Sequence, residues 1–457
     1  MLTPRTTLAR RVTAALDASP SRIPVLLGGC GSGRTTLLQQ LRERLGRTSA
    51  QYIDVERAAT TPERWLRAIV SASPFPVQDQ TRLLAPGARA SFDAALEFLS
   101  RVRTPASEPA TFLIDEFLEL RTFESFPGLR RVLHDFIECL AASGNRFVLT
   151  SRYVARSLRL LRDRPARFEV IHMPALNTED TLDILGSSAS GSDAHEADYL
   201  ARSVQNLADG RPAYVAALAD ELMTMREHSR SGDAAIGDPI SALAALMAPR
   251  GTLSRQCGFC YELRLHRARG YGALKAILEI LAEEEGLTLT EISHRLQRTP
   301  GSTKDYLSWL EDVDLVSSLQ KRYSFADPLL RVWVRLHCRP SAPSEDDLAR
   351  EMHRYALPRL PQMTERSDRS RDHHADAAPG TSDQPSGAAA VLGTPDQPAA
   401  GAALAPSEET PEAGAEPEPA LAMAGAGPRS GAMTPGTSAP RSTPGPPSPR
   451  SGIIEID

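Results

Sequence analysis

Five short apolar runs punctuate the first 175 residues, at 22–27, 52–55, 111–114, 146–150 and 168–171. They are rich in Val, Ile, Leu and Phe and lack strict alternation, the pattern of strands buried on both faces of a parallel sheet. Helical spacings lie between them, so an α/β unit with a parallel sheet is expected. From Thr178 to Glu227 helical periodicity takes over, and a polar Gly/Ser/Asp stretch at 229–237 closes it. Further on, Tyr271, Leu274, Ile277, Ile280 and Leu281 share a helical face that should end at Gly286. Thr290, Glu291 and Ile292 open a second helix, with Ile292 and Leu296 four apart. Thr299-Pro300 supplies an N-cap and a first-turn proline for a third, carrying Tyr306, Leu307, Trp309 and Leu310. Residues 313–316 and 322–325 are expected to pair as a wing around 317–321, completing a helix-turn-helix arrangement.

Composition adds a boundary. No Phe, Trp or Tyr follows Tyr355, and residues 368–457 hold 15 of the 36 Pro and 11 of the 30 Gly. Such a stretch buries too little apolar surface to offset chain entropy, so a disordered tail is expected. It carries 12 acidic residues against 5 Arg, whereas the whole chain is only −5, leaving a slightly basic body. That balance excludes a uniformly basic nucleic-acid sleeve. The closing Ile453, Ile454, Glu455, Ile456 and Asp457 read as a frayed end or as a strand-adding peptide. Five scattered Cys do not make a disulfide scaffold, and no apolar stretch reaches transmembrane length. With no leader-like block either, a cytoplasmic protein without membrane contact is expected.

The candidate chemistry begins where the first strand meets a helix, at Gly28-Gly29-Cys30-Gly31-Ser32-Gly33-Arg34-Thr35-Thr36. Glycines let successive N–H groups converge on phosphate, and the helix N-terminus adds positive potential. Thr35 is placed to ligate Mg²⁺. Arg34 stands where this pattern has Lys. It keeps the charge but is planar and bulkier, so binding should survive better than turnover. The chain has only three Lys against 49 Arg, which makes the exchange a matter of general usage as much as of selection. Asp115 and Glu116 close an apolar strand: Asp115 is read as the Mg²⁺-shell carboxylate and Glu116 as the general base for water. At the end of the next strand, Thr150 or Ser151 could orient the water and Arg152 could sense a γ-phosphate.

With these motifs in order, the chain resembles the archaeal-type ATPases within the AAA+/STAND group of P-loop NTPases. The resemblance rests on the loop at 28–36, on Leu113-Ile114-Asp115-Glu116-Phe117, on Thr150-Ser151-Arg152 and on Gly210-Arg211-Pro212. The last is similar to that group's G-x-P lid signature, which puts Pro212 near the nucleotide base. The stretch from Gly270 through Asp327-Pro328 to Trp333 is similar to the family's winged helix. The resemblance implies ATP and Mg²⁺ binding and ATP hydrolysis, with Arg34 the departure from the Walker A pattern. The expected organisation is a nucleotide domain at 1–175, a helical lid at 176–232, a helical connector at 233–265, a winged helix at 266–345 and the tail at 346–457.

Two functions compete. One is an ATPase that moves the winged helix, with a homo-oligomer supplying Arg130, Arg131 or Arg156 in trans. The other is a nucleotide-gated switch or regulator that hydrolyses slowly or not at all because of Arg34. The third helix offers Ser302, Thr303 and Lys304, with Arg298 before it and Arg322 on the wing, against Asp305, Glu311 and Asp312. This weak basic footprint leaves DNA and protein open as partners. Cys257 and Cys260 form a lone C-x-x-C and read as ordinary cysteines, while Cys30, beside a helix N-terminus, is expected to have a lowered pKa.

Overall fold

Each apolar run becomes a strand because helices cover it on both sides. The computed structural model describes residues 5–76, 87–162, 167–186, 194–229, 238–266 and 270–361. The expected tail from 362 onward, with its terminal 453–457 patch, lies outside the described residues. Helix α1 (Thr6–Asp17) leads into β1 (Ile23–Leu27), and the glycine loop into α2 (Arg34–Leu45). Next come β2 (Ala50–Asp54), α3 (Val55–Ala58), α4 (Pro62–Ser71), α5 (Ala88–Arg101) and β3 (Thr111–Asp115). A 3-10 helix (Phe117–Ser125), α6 (Val132–Ala142), β4 (Arg146–Ser151), α7 (Val154–Leu161) and β5 (Phe168–His172) complete the unit.

The strands are all parallel, in the order β2-β3-β4-β1-β5. Alternate residues serve opposite layers. Val25, Leu27, Phe112, Ile114, Phe147 and Leu149 pack on α4, α5 and α6 through Trp65, Phe92 and Phe136. Leu26, Leu113, Val148 and Ile171 pack on α1 through Val12 and Leu16, and on α2 through Leu38 and Leu41. Strand β1 pairs with β4 and β5, not with its successor β2. The carboxyl ends of β1, β4 and β3 therefore stand side by side. That order places residues 28–36, 151–152 and 115–116 at one edge, where open parallel sheets bind ligands.

Beyond the sheet lie α8 (Thr178–Leu185), α9 (Ala194–Leu207), α10 (Pro212–Ser229), α11 (Pro239–Met247) and α12 (Thr252–Leu265). They are followed by α13 (Tyr271–Glu283), β6 (Leu287–Thr288), α14 (Leu289–Leu296), α15 (Pro300–Asp312), β7 (Val316–Leu319), β8 (Arg322–Phe325), α16 (Pro328–His337) and α17 (Glu345–Ala356). Thr299 caps α15 by accepting from Ser302 N, as its Thr-Pro pair predicts. Strands β6, β8 and β7 form a small antiparallel sheet. Its hairpin differs from expectation on the first side: β7 starts at Val316, because Val313 and Leu315 are drawn into the core of α13 and α15.

One apolar core joins α9 and α10 to distant chain: Leu200, Val204 and Leu218 pack with Leu243, Leu329, Val332, Met352 and Tyr355. Helix α17 lies within the stretch assigned to the tail. It is held by a Ser344/Asp347 capping box, by its buried Met352 and Tyr355, and by a bidentate Arg335–Glu351 pair. No described helix is long and apolar enough to cross a membrane.

Candidate active site

The glycine loop needs its glycines. Gly31 and Gly33 have φ of +76° and +84°, and a Cβ on Gly28 would stand 2.8 Å from Ser32 Oγ and 2.9 Å from Met173 Cβ. Arg34, first residue of α2, turns back into the loop. Its Nη1 donates to the carbonyls of Gly28 and Gly29, the latter at 2.6 Å, and to Ser32 Oγ at 3.0 Å. Its Nη2 donates to Glu116 Oε1 at 2.6 Å, and both side chains are only 8% exposed. Arg34 thus bridges the loop to a carboxylate 82 residues further along the chain.

Asp115 and Glu116 sit at the β3 edge with different partners. Asp115 Oδ2 accepts from Thr35 Oγ1 at 2.7 Å and from the Tyr52 hydroxyl at 2.9 Å, while Oδ1 accepts from Thr150 Oγ1. Hard oxygens from Thr35 and Asp115 in direct contact are the donor set that suits Mg²⁺. Among the described residues no group of three or more His, Cys, Asp and Glu could hold a metal ion, at this edge or any other. Glu116, with φ of +54°, is turned towards the arginines. It accepts from Arg34, from Arg152 N at 3.0 Å, and pairs with Arg152 Nε at 3.2 Å. Burial pushes its carboxyl up, but Arg34 and Arg152 together hold it below the ordinary range. Arg152 is itself fixed by Glu56, and burial, which lowers its pKa, is outweighed by Glu116 and Glu56. Thr150 also accepts from Glu116 N at 3.1 Å. Ser151 instead caps the next turn, accepting from Tyr153 N at 3.0 Å.

Two surfaces close over the loop. From the start of α10, Ala213 N donates to Gly31 O at 3.1 Å, and Arg211 Nη1 stands 3.3 Å from where a Gly29 Cβ would be. Pro212 lines a cavity of only about 20 Å³ with Arg5, Gly33, Thr36, Leu37, Gln40, Leu176 and Ile184. Both terminal nitrogens of Arg5 are buried there without a hydrogen-bond partner. From the other side comes α12, whose residues 256, 260 and 264 share a helical face. Gln256 approaches Gly31, Arg264 Nη2 donates to Cys30 Sγ at 3.6 Å, and Cys30 shares a hydrogen bond with Cys260. That bond, with Arg264, Arg152 and Arg34, outweighs burial and lowers the Cys30 pKa to about 5. The lowered Cys30 pKa agrees with expectation, with Cys260 and the arginines as its cause; Cys257 and Cys260 are free, buried thiols with raised pKa values, as ordinary cysteines are.

The start of α10 and the C-terminal elements are tied at the same place. Arg211 pairs with Asp327 at 2.8 Å, Tyr214 donates to Asp327 Oδ2 at 2.8 Å, and Asp327 caps α16 through Leu329 N and Leu330 N. Asp314 caps α7, accepting from Val154 N at 2.6 Å and Ala155 N at 3.2 Å. Tyr52, Glu56, Arg5, Arg264, Asp314 and Asp327 were not singled out as site residues. Of the expected groove-facing residues, Thr303 is corrected: it is fully buried and its hydroxyl donates to Thr299 O at 3.0 Å. Arg322 is engaged with Gly286 O at 2.6 Å.

Neither the family models nor the curated proteins contain a match to this chain. Solved structures do. The Walker-type ATPase of Pyrococcus abyssi aligns over 73% of this chain and 96% of its own, at 17% identity and a TM-score of 0.51. The Aeropyrum pernix ORC1 protein in complex with DNA aligns over 79% and 95%, at 17% identity and 0.41. The Thermotoga maritima RuvB Holliday junction branch migration motor aligns over 70% and 91%, at 14% identity and 0.37. The first of these and the strand order agree: the chain has the P-loop NTPase fold.

Proposed function

We propose that this protein is a cytoplasmic ATP-binding P-loop ATPase of the AAA+/STAND type, whose nucleotide state repositions a C-terminal winged helix. The observation that carries the reading is the Thr35–Asp115 contact at 2.7 Å with Glu116 one residue beyond, beside a glycine loop. The loop N–H groups and the α2 N-terminus would bind the phosphates. Mg²⁺ held through Thr35 and Asp115 would neutralise charge developing on them. Glu116 would orient and deprotonate water, Arg152 would meet the terminal phosphate, and Pro212 with Arg5 would flank the base. Opening of the lid has to precede binding, since a cavity of about 20 Å³ holds no purine.

The coupling follows from shared residues. Arg211 stands over Gly29 and pairs with Asp327 at the α16 N-terminus, so any ligand that displaces Arg211 disturbs the C-terminal elements directly. A steady-state ATPase assay with Mg²⁺ tests the reading. Wild type should turn over, and Glu116→Gln should lose about a hundredfold or more while still binding ATP. Failure of wild type to bind ATP at all would overturn it.

A second reading, the nucleotide-gated switch, is favoured by one contact. Glu116 is held by two arginines and is a poor base until Arg34 leaves it. ATP bound without turnover in wild type selects that reading. Homo-oligomerisation with an arginine in trans remains part of the first proposal, and a DNA or protein partner of either.

A further inference from the structure

On the far side of Arg264 from the glycine loop, a cavity of about 560 Å³ opens between the nucleotide unit and the C-terminal elements. Arg121, Arg130, Arg131, Arg156, Arg159 and Arg264 line it, drawn from the 3-10 helix, the start of α6, α7 and α12. Among the described residues, the carboxylates in its wall are Glu119 and Glu124. Part of the charge is answered internally: Arg121 pairs with Glu124 at 3.2 Å, Arg159 pairs with Asp312, and Arg264 donates to Asp314 O at 2.8 Å. Among the described residues Arg130 and Arg131 make no ion pair, and Arg156 feels Asp312 and Asp314 without an ion pair to either. Arg156 is the most confined of the three. Its Nε is buried without an acceptor, its guanidinium lies over the Tyr153 ring at 5.4 Å, and burial together with Arg121 and Arg159 disfavours its charge. Like charges gathered in a half-closed cleft raise the local potential and draw in an anion.

The shape says which anion. A second cavity, of about 900 Å³, adjoins the first and shares Glu124, Arg130 and Arg131 with it. A ligand lying along the shared wall would touch both, which suits a chain of phosphates better than a single one. Tyr153 and Trp309 also line the first cavity; the Tyr153 ring is covered by Arg156, which leaves the half-buried Trp309 as the aromatic wall. Arginines along a groove that tracks the backbone, with an aromatic wall, are how unpaired strands are held. We propose that this cleft binds single-stranded nucleic acid, with Arg130, Arg131 and Arg156 on the backbone and Trp309 stacking on a base. The site is separate from α15, where the buried Thr303 and the engaged Arg322 leave Lys304 as the exposed cation on the helix itself. It stands independently of ATP hydrolysis.

The test is fluorescence anisotropy of a labelled fifteen-nucleotide oligo-dT with the full chain, from about 50 to 200 mM salt. Wild type should bind, with affinity falling steeply as salt rises. R130E/R131E and R156Q should each weaken binding at least tenfold, and the triple variant should flatten the log–log salt slope by about 2. R130K/R131K should retain most of the affinity, and Lys304→Ala should change it less than twofold. Arg130 and Arg131 are exposed and unpaired, so their replacement leaves the melting temperature in place. Affinity within twofold of wild type in R130E/R131E and R156Q overturns the proposal. So does tighter binding of the duplex of the same length, or equal binding of inorganic polyphosphate with none of the oligonucleotide. Loss of concentration-dependent ATPase activity in R130E/R131E with oligonucleotide binding intact assigns these arginines to a neighbouring subunit and overturns it as well.

Discussion

Arg34 Nη2 lies 2.6 Å from Glu116 Oε1, so the cation of the glycine loop is bonded to the very carboxylate read as the catalytic base. A lysine has one ammonium on a thinner stem and could not hold the loop carbonyls and Glu116 at once. The arginine fork does both, and its planar geometry makes the pair self-consistent without nucleotide. The cost of burying Glu116 is offset by two guanidiniums, which is why its carboxyl lies low despite burial.

Arg34→Lys should therefore free Glu116 and raise kcat by about tenfold, since a positioned base is worth at least that much. Phosphate release measured at saturating ATP checks it. Unchanged or lower kcat, with ATP affinity preserved, would show that the pair does not restrain the base.

Cys30 should behave as a thiolate near neutrality. Its folded pKa of about 5 lies below the ordinary value of a free thiol, about 8.5. The sign follows: the stabilisation it contributes is fully present above the unfolded pKa and is lost as pH falls through about 5. Iodoacetamide labelling read by mass spectrometry should give half-maximal Cys30 reactivity near pH 5. Cys139, Cys257 and Cys338, whose pKa values are raised chiefly by burial, should stay unlabelled at about pH 7. Arg264→Gln should move the Cys30 midpoint upward, because Arg264 donates to its sulfur.

How much of this was legible in the chain depended on range. The glycine loop, Asp115-Glu116 and the Thr299-Pro300 cap are local: a few neighbouring residues dictate a turn, a strand end or an N-cap. The partners were not local. Tyr52 and Glu56 reach Asp115 and Arg152 because β2 lies beside β3 and β3 beside β4, an order that apolar runs do not encode. Cys260 meets Cys30 only through the packing of α12 on the loop, across more than half of the chain. Arg34 could be flagged as a departure from pattern, but its bond to Glu116 needed the side-chain direction. Helix α17 escaped because its burial rests on Met352 and Tyr355 packing into a core built mostly from lid residues.

Arg5 should contribute to recognition of the base and not of the phosphates. Its terminal nitrogens are buried, unpartnered and next to Pro212 and Leu37, where an acceptor on a purine would satisfy them. Arg5→Ala should weaken ATP binding about tenfold, the cost of one charge-assisted hydrogen bond, and leave inorganic tripolyphosphate affinity unchanged. Calorimetric titration of both ligands measures the difference. Equal losses would place Arg5 at the phosphates.

The Arg211–Asp327 pair should carry the signal from loop to C-terminal elements. Arg211 is 18% and Asp327 8% exposed, so removing one partner leaves a largely buried charge uncompensated. Arg211→Met should destabilise the protein by about 3 kcal/mol, and the double variant Arg211→Met/Asp327→Asn by less than Arg211→Met alone. Asparagine keeps an oxygen for the N–H groups of Leu329 and Leu330, so the α16 cap survives in the double variant. Denaturant unfolding gives these values, and hydrogen exchange gives the coupling. ATP should change protection in α16 of wild type, and the change should vanish in the double variant while ATP still binds. A wild-type response that persists without the pair would mean that movement reaches the C-terminal elements by another contact, with Asp314 at the start of α7 next in line.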